Sequence, residues 1–160
     1  TDEPVSGELL PIGEIFSLLS QLVGQSFPDP GMDQERNRGA ALHKLICKCL
    51  GYGRYGDTGQ FPDVRHQLLE VKLQTSPTID LGLVLPNSTD RLDVRQLGSH
   101  HPRHCDTRYA LFYANTDGSS VNLTHLFVAT GAEFFTRFRR FEGNITNAKI
   151  QIPLPADFFA

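Results

Sequence analysis

Phe61-Pro62-Asp63, followed by Gln67-Leu68-Leu69-Glu70-Val71-Lys72-Leu73, is the stretch on which the fold turns. Leu69, Val71 and Leu73 alternate with Leu68, Glu70 and Lys72, the period-two pattern of a β-strand. Glu70 and Lys72 therefore share one strand face. Upstream, Ile12, Ile15, Phe16, Leu18, Leu19, Leu22 and Val23 recur at helical spacing and predict a helix over 9–25, ended by Ser26-Phe-Pro-Asp-Pro-Gly31. A second helix is expected from Asp33, as N-cap, to Leu50, with Ala41, Leu42, Leu45, Ile46, Cys49 and Leu50 as its buried stripe. Gly51 to Gly59 reads as a loop. Downstream, Leu81–Leu85 reads as a short strand and 98–106 as a polar loop. Arg108–Ala114 and Val121–Ala129 read as strands joined by the turn former Asn115-Thr-Asp-Gly118. A short helix reaching Phe141 then places Phe134, Phe135, Phe138 and Phe141 on one side, before an irregular tail. Helices, then strands, then a helix, with no repeat or dividing linker, predict one α/β domain over 1–160 with a central mixed sheet.

Composition agrees with a folded domain: 160 residues, 39% hydrophobic and 21% charged. The net charge of −3 excludes histone-like or polybasic-tail behaviour but leaves a local basic surface open. Residues 1–90 carry a balance of −5 and residues 91–160 one of +2. Metal-holding carboxylates are thus expected in the first part and a polyanion-binding face mainly in the second. Cys47, Cys49 and Cys105 make a poor disulfide framework, which points to a reducing compartment. Triplets of the form N-x-S/T begin at Asn87, Asn122 and Asn144, with nothing else suggesting secretion. No run approaches the roughly 18 apolar residues of a membrane span, so a soluble cytoplasmic protein without a membrane partner is expected. The opening Thr1-Asp-Glu-Pro4 has no initiator Met, which suggests a fragment or a processed product.

Asp63 and Glu70, one at a loop–strand junction and one on the strand, can converge on one divalent ion. Mg²⁺ takes hard oxygen ligands and keeps several waters, and the Val71 carbonyl would complete the protein's share. Lys72, beside Glu70, can hold or polarise a water near a scissile phosphate, the combination phosphodiester hydrolysis needs. A Glu-x-Lys pair also occurs on ordinary solvent-facing strands. Here it interrupts an apolar strand, follows Pro62-Asp63 and comes after a helix and a Gly-rich loop.

Pro62-Asp63, followed after six residues by Glu70-Val-Lys72, resembles the catalytic motif of the PD-(D/E)xK nuclease superfamily, which includes many type II restriction endonucleases. The resemblance implies a restriction-endonuclease-like αβα core, with Asp63 and Glu70 as Mg²⁺ ligands and Lys72 as the catalytic lysine. It also implies a bacterial setting. Gln74 is similar to a polar residue that touches the metal-bound water or a phosphate in several members, and it reads equally as a strand-end residue. Asn37-Arg38-Gly39 and Glu70-Val-Lys-Leu-Gln-Thr-Ser-Pro77 resemble the branch containing the mismatch-repair nicking enzyme MutH. That branch carries a glutamate on the preceding helix, where this chain has Leu42-His43-Lys44, so His43 or the earlier Glu35 is the candidate accessory group. Asp57 is a competing metal ligand whose plainer role is to cap its own turn, and Asp80 has the same status.

His100, His101, His104, Cys105 and Asp106 lie too close in sequence for a structural zinc site and suit a DNA-facing loop better. Arg103 and Arg108 are expected to contact phosphates or guanine edges, His104 or Asp106 to read a base, and Arg38 and Arg139 to add backbone contacts. The leading expectation is a Mg²⁺-dependent type II restriction endonuclease acting on double-stranded DNA. A palindromic target would favour a homodimer. Recognition would use loops near 86–108 and 130–150 or a separate domain absent from this chain. A repair nickase, a non-catalytic DNA-binding module and a structural domain are the alternatives.

Overall fold

Alternating side chains on β2 (Leu69–Gln74) send Leu69, Val71 and Leu73 into one core and turn Glu70, Lys72 and Gln74 the other way. In this computed structural model, which describes residues 2–29, 31, 35–56, 59–138 and 151–153, β2 is the last strand of a four-stranded mixed sheet. It pairs in parallel with β4 (Arg108–Thr116), so that Glu70 lies opposite Tyr109 and Lys72 opposite Leu111. β4 pairs antiparallel with β5 (Ser120–Thr130), and β5 with the short β1 (Ser26–Pro28). The β4–β5 turn is closed by Asp117, whose carboxylate accepts the Ser119 and Ser120 N–H groups at 2.9 and 2.8 Å.

The two sheet faces carry separate cores. On one, Leu69, Ala110, Phe112, Val121 and Leu123 meet α1 (Ile12–Leu19) and α2 (Glu35–Cys49) through Ile15, Leu19, Leu42 and Ile46. On the other, Tyr109, Leu111 and Tyr113 meet Ile79, Leu81, Phe134 and Phe138, supplied by β3 (Thr78–Asp80) and the single-turn α3 (Phe134–Arg137), each with the residue that follows it. Each fully buried Phe, Leu or Ile contributes about 1.5–3 kcal/mol. β3 pairs antiparallel with β6 (Gln151–Pro153) as a separate ribbon. The result is a mixed α/β fold, helices flanking a central mixed sheet.

Several expected boundaries move. The first helix starts at Ile12 and gives way after Leu19 to a tighter turn. The expected strand at Leu81–Leu85 is absent. The chain leaves β3 at Asp80, whose carboxylate accepts the Gly82 N–H at 3.0 Å. Gly82 has φ +82°, a conformation glycine adopts without strain. The aromatic helix spans only Phe134–Arg137, because Phe138 is already extended. Asp33 and Phe141 lie outside the described residues. No helix among the described residues is long and apolar enough to cross a membrane.

Candidate active site

The spacing between Asp63 and Glu70 is set by a tight reversal. Residues Arg65–Gln67 form one helical turn, and Leu68 adopts a left-handed conformation at φ 47°. The chain then doubles back so that Val64 and Leu69 exchange N–H···O bonds of 2.9 and 3.1 Å. One residue outside that bridge, Asp63 faces Glu70 and Val71. The Asp63 N–H donates to Glu70 Oε2 at 3.1 Å, and the Val71 N–H donates to Asp63 Oδ2 at 3.0 Å. Since N–H and C=O of a strand residue point to the same side, the Val71 carbonyl lies on the Asp63 side of β2, away from β4. Lys72 Nζ sits 3.0 Å from Glu70 Oε1.

Charge is crowded here. Burial first, and then the Asp63 carboxylate, push the Glu70 carboxyl up to about 7, against the pull of Lys72. Burial alone would lower Lys72, but Glu70, then Asp63 and Asp80, outweigh it and hold the ammonium above its ordinary value. Several carboxylates thus share one cation, and the most buried of them, Glu70, is the one that takes up a proton near neutrality.

Two clefts open on this group from opposite sides of β2. The α2 side holds a space of about 350 Å³ lined by Arg36, Gly39, Ala40, His43, Asp63, Glu70 and Lys72. Gly39 borders this open space, since a Cβ there would meet nothing within 4 Å. The other side holds about 460 Å³ between Asp63, Glu70, Lys72, Phe61, Leu83 and His104. Phe61, Leu83 and Val84 were not singled out from the sequence. Phe61 stands immediately before Pro62-Asp63, and the apolar run 81–85 signalled burial rather than a cleft wall.

The remaining expected site residues divide clearly. His43 lines the α2-side cleft and is buried, its Nε2 3.7 Å from Cys47 Sγ. Glu35 opens α2. Gln74 lies in an adjoining cleft with Arg38, Thr75, Ser76, Thr78 and Asp80, away from Asp63. His104 lines the outer cleft, while Arg103 is exposed and donates to the Thr89 carbonyl at 3.3 Å. Asp57 and Arg139 lie outside the described residues.

Three of the residues expected to contact DNA are engaged by partners within the fold. Arg108 is buried, and its guanidinium donates to the Gln67 carbonyl, to Gln67 Oε1 at 3.2 Å and to the Leu10 carbonyl, so it clamps the chain instead of facing a phosphate. Arg38 is largely buried in a two-pronged pair with Asp29 at 2.8 and 2.9 Å, its guanidinium already neutralised by that carboxylate where it borders the Gln74 cleft. Asp106 accepts the Arg103 N–H and contacts His100 Nε2, both at 2.9 Å, and so organises its own loop.

The donor set suits a hard cation. Asp63, Glu70 and the Val71 carbonyl offer oxygen only, and a divalent ion between the carboxylates would relieve the repulsion that raises Glu70. Among the described residues, no group of three or more His, Cys, Asp or Glu side chains is gathered to hold a metal ion. An ion here would therefore complete its shell with backbone oxygen, water and substrate phosphate, the usual habit of Mg²⁺. No family model, curated protein or solved structure matches the chain.

Proposed function

We propose that this chain is a Mg²⁺-dependent endonuclease that hydrolyses phosphodiester bonds in double-stranded DNA, with a restriction-endonuclease-like core of the PD-(D/E)xK type. One observation carries the reading. A tight reversal locks Asp63, Glu70, the Val71 carbonyl and Lys72 together on the sheet edge, where clefts on both sides reach them. Asp63, Glu70 and the Val71 carbonyl would hold Mg²⁺, which supplies charge neutralisation and a more acidic bound water. Lys72 orients the attacking water and stabilises negative charge building on the phosphoryl oxygens. A new P–O bond forms from water as one ester P–O bond breaks. His43 stands on α2 in the same cleft, so the helix offers an imidazole where the MutH-like branch carries a carboxylate. Site-specific cutting of both strands by a homodimer, in a bacterial cytoplasm, is the setting that accompanies this reading.

The test incubates the protein and Lys72→Ala with mixed-sequence duplex DNA in Mg²⁺ or EDTA. Cleavage that needs both Mg²⁺ and Lys72 is expected, discrete bands marking site specificity. Equal DNA binding by both folded proteins, with no cleavage by either, would favour a non-catalytic DNA-binding module.

A further inference from the structure

The outer cleft has a composition that phosphodiester hydrolysis alone does not require. Leu83 and Val84 on its lining are 72% and 39% exposed, an unusual position for large aliphatic side chains. Against them stand Phe61 and His104, stacked with ring centroids 5.3 Å apart and planes 23° off parallel. The His104 turn is held firmly. Its N–H donates to the Asp90 carbonyl and the Cys105 N–H to the Ser88 carbonyl, both at 2.9 Å. Gly131 packs so closely that a Cβ there would lie 2.8 Å from the His104 carbonyl. The Gln60 amide adds a polar group. An aromatic stack, an aliphatic rim and a few polar groups make a surface for a flat heterocycle. The α2-side cleft, by contrast, has no Phe, Tyr or Trp in its lining.

We infer that the outer cleft takes the base of an unpaired nucleotide adjoining the phosphodiester held at Lys72, so that duplex DNA with a bulged or mismatched position is held more tightly than fully paired duplex. This rests on the nuclease reading above. A paired base cannot enter a recess beside the duplex without unstacking, a cost lowest at a bulge or mismatch. Continuity decides the occupant, because Glu70 and Lys72 line the same cleft as Leu83, Val84, Phe61 and His104. The phosphate at Lys72 delivers its own neighbouring base to that rim.

The test measures binding of the full chain in EDTA to a paired duplex and to the same duplex with one unpaired 2-aminopurine. Bulged DNA is expected to bind about tenfold more tightly, with the probe quenched as it stacks. Leu83→Ser and His104→Ala should each cut that preference below about threefold. Leu83 is mostly in water, so its variant tests the site without emptying a core. Equal affinities and an unquenched probe, with Mg²⁺- and Lys72-dependent cleavage of paired DNA intact, would overturn the base site and leave the nuclease standing. Absence of both binding and cleavage would overturn both. Quenching of free 2-aminopurine nucleotide without preference for bulged DNA would assign the cleft to mononucleotides. A dimer broken by Leu83→Ser, again without DNA preference, would assign it to a second copy. Either result overturns the inference.

Discussion

Replacing Glu70 with Gln removes one charge from the crowded group while keeping the size of the side chain. The folded protein holds the Glu70 carboxyl at about 7, against an ordinary value of 4.5. The folded state therefore binds this proton more tightly than the unfolded state. The carboxyl's favourable contribution is complete below about pH 4.5 and is lost as pH rises through 7. At about 1.4 kcal/mol per pKa unit, the loss is about 3 kcal/mol. Gln cannot ionise, so Glu70→Gln should gain about 3 kcal/mol relative to wild type between pH 4.5 and 8. In melting temperature that is roughly 6–12 °C for a domain of this size. Urea unfolding of both proteins in EDTA, every half pH unit, measures the difference directly. Other titrating groups, such as the burial-lowered His66 and His104, cancel in the comparison. A stability difference that stays level across the range would refute the raised Glu70 carboxyl, and with it the burial and then the Asp63 charge that raise it.

Mg²⁺ at ten times a millimolar dissociation constant should stabilise wild type by about 1.4 kcal/mol, read as a rise of about 3–6 °C in thermal unfolding at pH 8. Asp63→Asn should abolish that rise, and pH 5.5 should weaken it because Glu70 then keeps its proton. Gly131→Ala should destabilise by about 2 kcal/mol or more in urea unfolding, since the new Cβ would fall 2.2 Å from the Pro86 carbonyl oxygen. An unaltered midpoint would show that the 86–106 loop is free to move. Asp29 is held at about 2 by the Arg38 guanidinium, then by the Thr116 hydroxyl. Its stabilising contribution is present above the ordinary value near 4 and is lost as pH falls through 2. Asp29→Asn should flatten acid unfolding monitored by circular dichroism over that window.

Local pattern was a good guide where structure is local. Alternation in Gln67–Leu73 identified β2 and the shared face of Glu70 and Lys72, and helical spacing identified the α2 stripe. Asp63 could be paired with Glu70 from sequence because only a short reversal separates them. The arginines show the opposite case. Arg108 follows a polar loop and reads as a surface cation, but its acceptors on Gln67 and Leu10 lie 41 and 98 residues away in sequence. Arg38 likewise depends on Asp29, held in a loop whose position relative to the helix is tertiary. The run 81–85 misled because apolar residues lining a cleft and apolar residues inside a sheet look alike without their neighbours.

The clamp at Gln67 also affects how this chain can be engineered. The Leu10 N–H donates to Gln67 Oε1 at 2.9 Å, and Gln67 Nε2 donates to the Glu8 carbonyl at 3.0 Å, while Arg108 bridges from the far side. Gln67 ends the helical turn just before the reversal that brings Asp63 to Glu70. The leading segment is thus a strap across the back of this reversal, fastened through the main-chain atoms of Glu8 and Leu10. Any residue but proline would supply the N–H at position 10, and the Glu3 carboxylate adds a further fastening, 2.8 Å from the Arg65 guanidinium. Shortening the chain past residue 10 would unfasten it, whereas changing the Glu8 side chain would leave its main-chain bond to Gln67 in place. An affinity tag or fusion partner is therefore better attached ahead of this strap than in exchange for it.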